Sequence, residues 1–87
     1  MKRKSRKVEH DLLKEIAKHY LRTFGFEEDE IFTEYPVKIE GYYHNNVRVD
    51  VVGVSKKKKV AIECGNTPRR KLICLTLVFD EVYHLPY

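Results

Sequence analysis

Glutamine and tryptophan are missing from this chain, methionine occurs once, and the 87 residues hold two cysteines, three prolines and four glycines. No apolar run approaches the roughly 20 residues that span a bilayer, and no apolar signal segment follows the basic N-terminus. The chain is therefore expected to be soluble and cytoplasmic, with no membrane partner. Cys64 and Cys74 lie in apolar runs without CxxC or zinc-ligand spacing, which predicts two reduced, packed thiols and argues against a zinc site. His10, His19, His44 and His84 are scattered at no ligand spacing and are assigned no role. Nothing matches a phosphate-cradling glycine loop, a nucleophile elbow or an EF-hand. The lack of glutamine beside abundant lysine and glutamate fits a heat-adapted, thermophile protein.

What the chain does have is positive charge, unevenly placed. Its net charge is +4. Lys2, Arg3, Lys4, Arg6 and Lys7 form an expected basic arm over residues 1–7, ahead of a single domain over 8–87. Lys56 to Lys59 form a lysine-rich tip, and Arg69, Arg70 and Lys71 open a later segment. Three basic clusters on so small a domain suit a polyanion such as DNA, which binds through charge and counterion release. Four lysines at a tip are also what a solvated turn contains.

Val8, Leu12, Leu13, Ile16, Ala17, Tyr20, Leu21 and Phe24 recur at helical spacing, and Gly25 stands where a left-handed cap ends a helix. The spacing predicts a helix over 8–24. Glu9 falls near the middle of that apolar stripe, its one charged exception. A strand is expected over 31–39, with Pro36 implying a bulge or an edge. Gly41 to Asn46 reads as a turn, where Tyr42, Tyr43 and His44 could stack on bases or pack on their own hairpin. Thr67 and Pro68 read as the cap and first position of a second helix that is apolar almost all round. Ile73, Leu77 and Val78 are expected to meet a second subunit in a homodimer, and Val82 to Leu85 to form a last strand.

The most informative residues are two acids in short β-branched runs, Asp50 in Val47-Arg48-Val49-Asp50-Val51-Val52 and Glu63 in Val60-Ala61-Ile62-Glu63-Cys64. Alternation puts Val47, Val49 and Val51 on one face and Arg48, Asp50 and Val52 on the other. A hairpin turning at Lys56 to Lys58 then brings both carboxylates onto one face, nearly opposite each other. Two carboxylates so close repel, so a cation is expected between them.

The order helix, three strands, helix, strand, with Val49-Asp50-Val51-Val52-Gly53 and Ile62-Glu63-Cys64-Gly65 in the second and third strands, resembles the PD-(D/E)XK nuclease superfamily. Glu9 is similar to the helix-one glutamate of archaeal Holliday junction resolvases. The resemblance implies an α/β, restriction-endonuclease-like αβββαβ core, a mixed sheet flanked by two helices. It also implies a Mg²⁺-dependent endonuclease acting on DNA, with Mg²⁺ (or Mn²⁺) held by Asp50, Glu63 and the Cys64 carbonyl, and Glu9 close by. Lys4, Arg6, Lys7, Lys57, Lys58, Arg69 and Arg70 would bind the nucleic-acid backbone.

The family's lysine, two residues after the third-strand acid, is here Gly65, which cannot supply a charge. Three alternatives follow. Lys71 or Lys38 reaches the site from elsewhere; a second metal ion or a partner subunit supplies the charge; or the chain is a catalytically inactive relative that binds nucleic acid or serves as a protein-interaction module. Gly65 also suits a sharp turn into the second helix.

Overall fold

The computed structural model describes residues 2–40 and 46–87. Helix α1 spans Lys2–Thr23, and strands β1 (Ile31–Lys38), β2 (Asn46–Val54) and β3 (Lys59–Cys64) follow. Helix α2 (Arg69–Leu75) then leads into β4 (Glu81–Leu85). The class is α/β, two helices and a four-stranded mixed sheet in the expected αβββαβ order. The sheet runs β1-β2-β3-β4; its first two pairings are antiparallel, and β3 and β4 are parallel, joined through α2. Among the described residues, no helix is long and apolar enough to cross a membrane.

The first helix ends as expected. Gly25 has φ +102°, its N–H donates to the Arg22 carbonyl, and the Phe26 N–H donates to the Leu21 carbonyl. Those are the two bonds of a Schellman cap, and Phe26 and Leu21 share a core cluster, the contact that accompanies it. The start differs from expectation. Residues 2–7 are the opening turns of α1 rather than an arm ahead of it, because lysine and arginine favour helix and no glycine or proline lies before Gly25.

The buried line of α1 is also narrower than its apolar stripe. Ala17 and Leu21 are fully buried and Leu13 partly so, whereas Val8 and Leu12 are 65% and 60% exposed. A small residue lets the helix approach the sheet closely along one line, and an eight-residue stripe is wider than that line. Glu9, at the middle of the whole stripe, lies off that narrower line and is exposed.

Two core clusters occupy the two faces of the sheet. Ala17, Leu21 and Phe26 pack with Val51, Val60, Ile62 and Cys64. Leu75 and Phe79 pack with Val47, Val49, Val52, Ala61 and Ile39. Strand β3 is therefore covered on both faces. In β2, the expected alternation fails: Val49 and Val52 belong to the α2 cluster while Val51 belongs to the α1 cluster. The chain shifts face at Asp50.

Pro36 lies on β1, an edge strand, as its missing N–H requires. The 55–58 turn is closed by Ser55, whose N–H donates to the Lys58 carbonyl while its Oγ accepts from the N–H groups of Lys57 and Lys58. Helix α2 begins one residue later than expected, with Pro68 at the cap position and no side-chain capping bond. It is short, so Leu77 and Val78 follow it in a turn. Ile73 and Leu77 are 60% and 77% exposed, whereas Val78 is partly buried against the α2-side cluster. Tyr42, Tyr43 and His44 lie outside the described residues.

Candidate active site

The backbone ladder between β2 and β3 runs from Val54↔Lys59 to Val51↔Ile62. Beyond it, side-chain carboxylates replace the missing bonds. Asp50 Oδ2 accepts from the Cys64 N–H at 2.7 Å, and Glu63 Oε2 accepts from the Asp50 N–H at 3.2 Å. The two acids predicted from sequence are thus neighbours, each bound to the other's strand. They do not share a face in the way alternation predicted. Asp50 meets α1, with His10 Nε2 3.5 Å from its Oδ1, while Glu63 meets the α2 side. The shift of face in β2 at Asp50 is the reason.

Lys71 Nζ lies 3.0 Å from Glu63 Oε1 and donates to the Arg48 carbonyl at 2.9 Å. Thr67 Oγ1 donates to the same Glu63 oxygen at 3.3 Å, so the residue expected to cap α2 serves the acid instead. Of Lys71 and Lys38, the structure brings Lys71 to Glu63. Lys38 pairs with Asn46, four positions from the Asp50 row and roughly 13 Å along the strand.

Glu63 is buried. Burial pushes its carboxyl above the usual range and the Asp50 charge adds to this, with Lys71 partly offsetting both. Burial, then Asp50 and Glu63, pushes the Cys64 thiol up to about 12, so the thiol is inert at neutral pH. Among the described residues, no buried side-chain nitrogen or oxygen lacks a hydrogen-bond partner.

Gly65 has φ +84°, and a Cβ built there would lie 2.7 Å from the Tyr87 ring. Its carbonyl lies 2.5 Å from His84 Nε2. A side chain at the position that the PD-(D/E)XK pattern gives to lysine would be strained by the left-handed φ and would have to displace the Tyr87 phenol.

Sequence reasoning missed three groups here. His10, expected to have no role, is half-buried beside Asp50, one position after Glu9. Glu34 lies opposite Asp50, between the pairs Thr33↔Val51 and Tyr35↔Val49, with φ +52°. Lys14 pairs with Glu34 at 3.0 Å. Ala17, a small residue with His10 and Lys14 seven and three positions before it, was the signal for the buried line of α1. Glu34 follows only from the β1–β2 register.

The basic residues are more dispersed. Lys7, Lys57, Arg69 and Arg70 are exposed. Lys58 is engaged by its own sheet, 3.3 Å from Glu81 and over the Phe24 ring. The side chains of Lys4 and Arg6 lie outside the described residues.

Comparison with protein-family models, with curated proteins and with solved structures gives no match for this chain.

Proposed function

We propose that the chain is a metal-dependent nuclease of the PD-(D/E)XK kind, with a restriction-endonuclease-like core, cleaving phosphodiester bonds of DNA. The observation that carries this reading is the trio Asp50, Glu63 and Lys71, with Lys71 Nζ 3.0 Å from Glu63 Oε1. Two strand acids and one ammonium are the charges such a site needs, and here the ammonium comes from α2 rather than from the third strand.

The donor chemistry fits a hard divalent cation: two adjacent carboxylates, one of them buried and pushed up partly by the other, would gain from a positive ion. Asp50 and Glu63, with the Cys64 carbonyl, would hold Mg²⁺ or Mn²⁺. When bound, the ion would neutralise charge on the scissile phosphate and lower the pKa of a water. The chain's own part is positional. Lys71, fixed by the Arg48 carbonyl and Glu63, directs its ammonium to the charge that grows on the phosphate. Arg69 and Arg70, exposed at the start of the same helix, hold the neighbouring phosphates. Ile73, exposed on α2, and Leu77, exposed in the turn after it, would join two copies in a homodimer.

The test is cleavage of labelled linear, nicked and four-way-junction DNA with Mg²⁺ or Mn²⁺. Cutting should fall at least about a hundredfold in Asp50→Asn, Glu63→Gln and Lys71→Met. A folded native chain that binds DNA and cuts none of these substrates would leave a nucleic-acid-binding relative without catalysis.

A further inference from the structure

The oxygens of Asp50 are not equivalent. Oδ2 is committed to the Cys64 N–H, whereas Oδ1 faces His10 Nε2 across 3.5 Å. Glu34, at the same ladder position on β1, faces this pair. One ligand atom from each of His10, Glu34 and Asp50 lies within 4.8 Å of the other two. Ligands at about 2.1 Å from an ion stand about 3.0 Å apart in cis and about 4.2 Å in trans, so small side-chain movements close this trio on one ion.

The three donors come from three elements, α1, β1 and β2, so the fold assembles them rather than a local acidic run. Tyr87 Oη lies 3.4 Å from His10 Nδ1. With the Nδ1–H donating to the phenol oxygen, Nε2 carries its lone pair toward Asp50, the orientation that an outer partner imposes on a ligating histidine. Glu63 is differently placed. Oε1 already holds Lys71 and Thr67, and Oε2 holds the Asp50 N–H.

We propose that His10, Glu34 and Asp50 form a second divalent-cation site that takes Mn²⁺ in preference to Mg²⁺. One imidazole with two carboxylates is the donor set that makes the distinction: imidazole favours a transition ion, while all-oxygen sets suit Mg²⁺. Lys14, bound to Glu34 at 3.0 Å, is the protein's own competitor for the site. The inference goes beyond the nuclease reading and does not need it, since a chain that cuts nothing would hold the ion equally well.

The experiment is titration of the metal-free protein with Mn²⁺, followed by the loss of the free-ion electron paramagnetic resonance signal, and with Mg²⁺ in competition. His10→Gln and Glu34→Gln should each weaken Mn²⁺ binding at least tenfold and Mg²⁺ binding by less than threefold. Lys14→Met should strengthen Mn²⁺ binding severalfold, a gain that damage to the fold would not produce. Mn²⁺ affinity that is indifferent to His10 and Glu34 overturns the proposal. Metal-dependent DNA cutting alongside that result would leave the nuclease reading standing. Mn²⁺ held as described, with no cutting, removes the nuclease reading alone.

Discussion

Glu63 is where charge and burial conflict most. Its carboxyl is pushed up from the usual 4.5, first by burial and then by Asp50. A raised folded-state pKa contributes stability that is full below the unfolded value and is lost as pH rises through the folded value. The metal-free protein should therefore lose stability as pH climbs above about 4.5, and Glu63→Gln should flatten that slope in urea titrations across pH 4 to 8. Lys71→Ala should cost about 3 kcal/mol at pH 7, because it strands a buried carboxylate. The cost should shrink as pH falls and Glu63 takes up a proton. If the proposed cleavage holds, Gly65→Lys, which puts a lysine where the PD-(D/E)XK pattern has one, should not restore cutting lost with Lys71→Ala. A left-handed φ and the Tyr87 ring 2.7 Å from the new Cβ should instead cost about 2–4 kcal/mol.

At the scale of elements, α1 and β2 show how far periodicity reaches. The end of α1 was legible because a Schellman cap is local: Gly25 needs only its own φ and the carbonyls of the preceding turn. A Cβ at Gly25 would meet nothing within 4 Å, so Gly25→Ala should cost only the left-handed conformation, about 1 kcal/mol by thermal or urea unfolding. The covered face of α1 was not legible. Val8, Leu12 and Ile16 carry the same periodic signal as Ala17 and Leu21, and only contact with the sheet separates them. In β2, strict alternation misplaced Val51 relative to Val49, because the strand shifts face at Asp50 opposite Glu34 at φ +52°. That shift is what turns Asp50 toward His10 and leaves Glu63 to Lys71.

Over the whole molecule, two clusters clamp β3, with Val60, Ala61 and Ile62 all buried, while Ile73 and Leu77 stay outside. Ile62→Ala should cost about 2–5 kcal/mol, the cost of a cavity in a core closed on both faces. Leu77→Ala should change monomer stability by less than about 0.5 kcal/mol. If Leu77 joins two copies, the same substitution should lower the sedimentation mass toward that of one chain. The two edges of the sheet also differ. β1 carries Pro36 and the distorted Glu34, whereas β4 ends beside Gly65 and places Tyr87 over it.

The order of elements, the cap at Gly25, the nearness of Asp50 to Glu63 and the choice of Lys71 as a candidate cation all followed from the sequence. Each depends on neighbours in the chain: φ/ψ preferences, alternation along a strand, or a single hairpin. The tertiary structure alone decided that Lys71 rather than Lys38 meets Glu63, that His10 rather than Glu9 meets Asp50, that Glu34 joins them, and that Tyr87 fills the space over Gly65. Those meetings depend on β-register and on which line of a helix lies against the sheet. Residues 8 to 40 positions apart settle them by packing, and a pattern of period 2 or 3.6 carries no information about such partners.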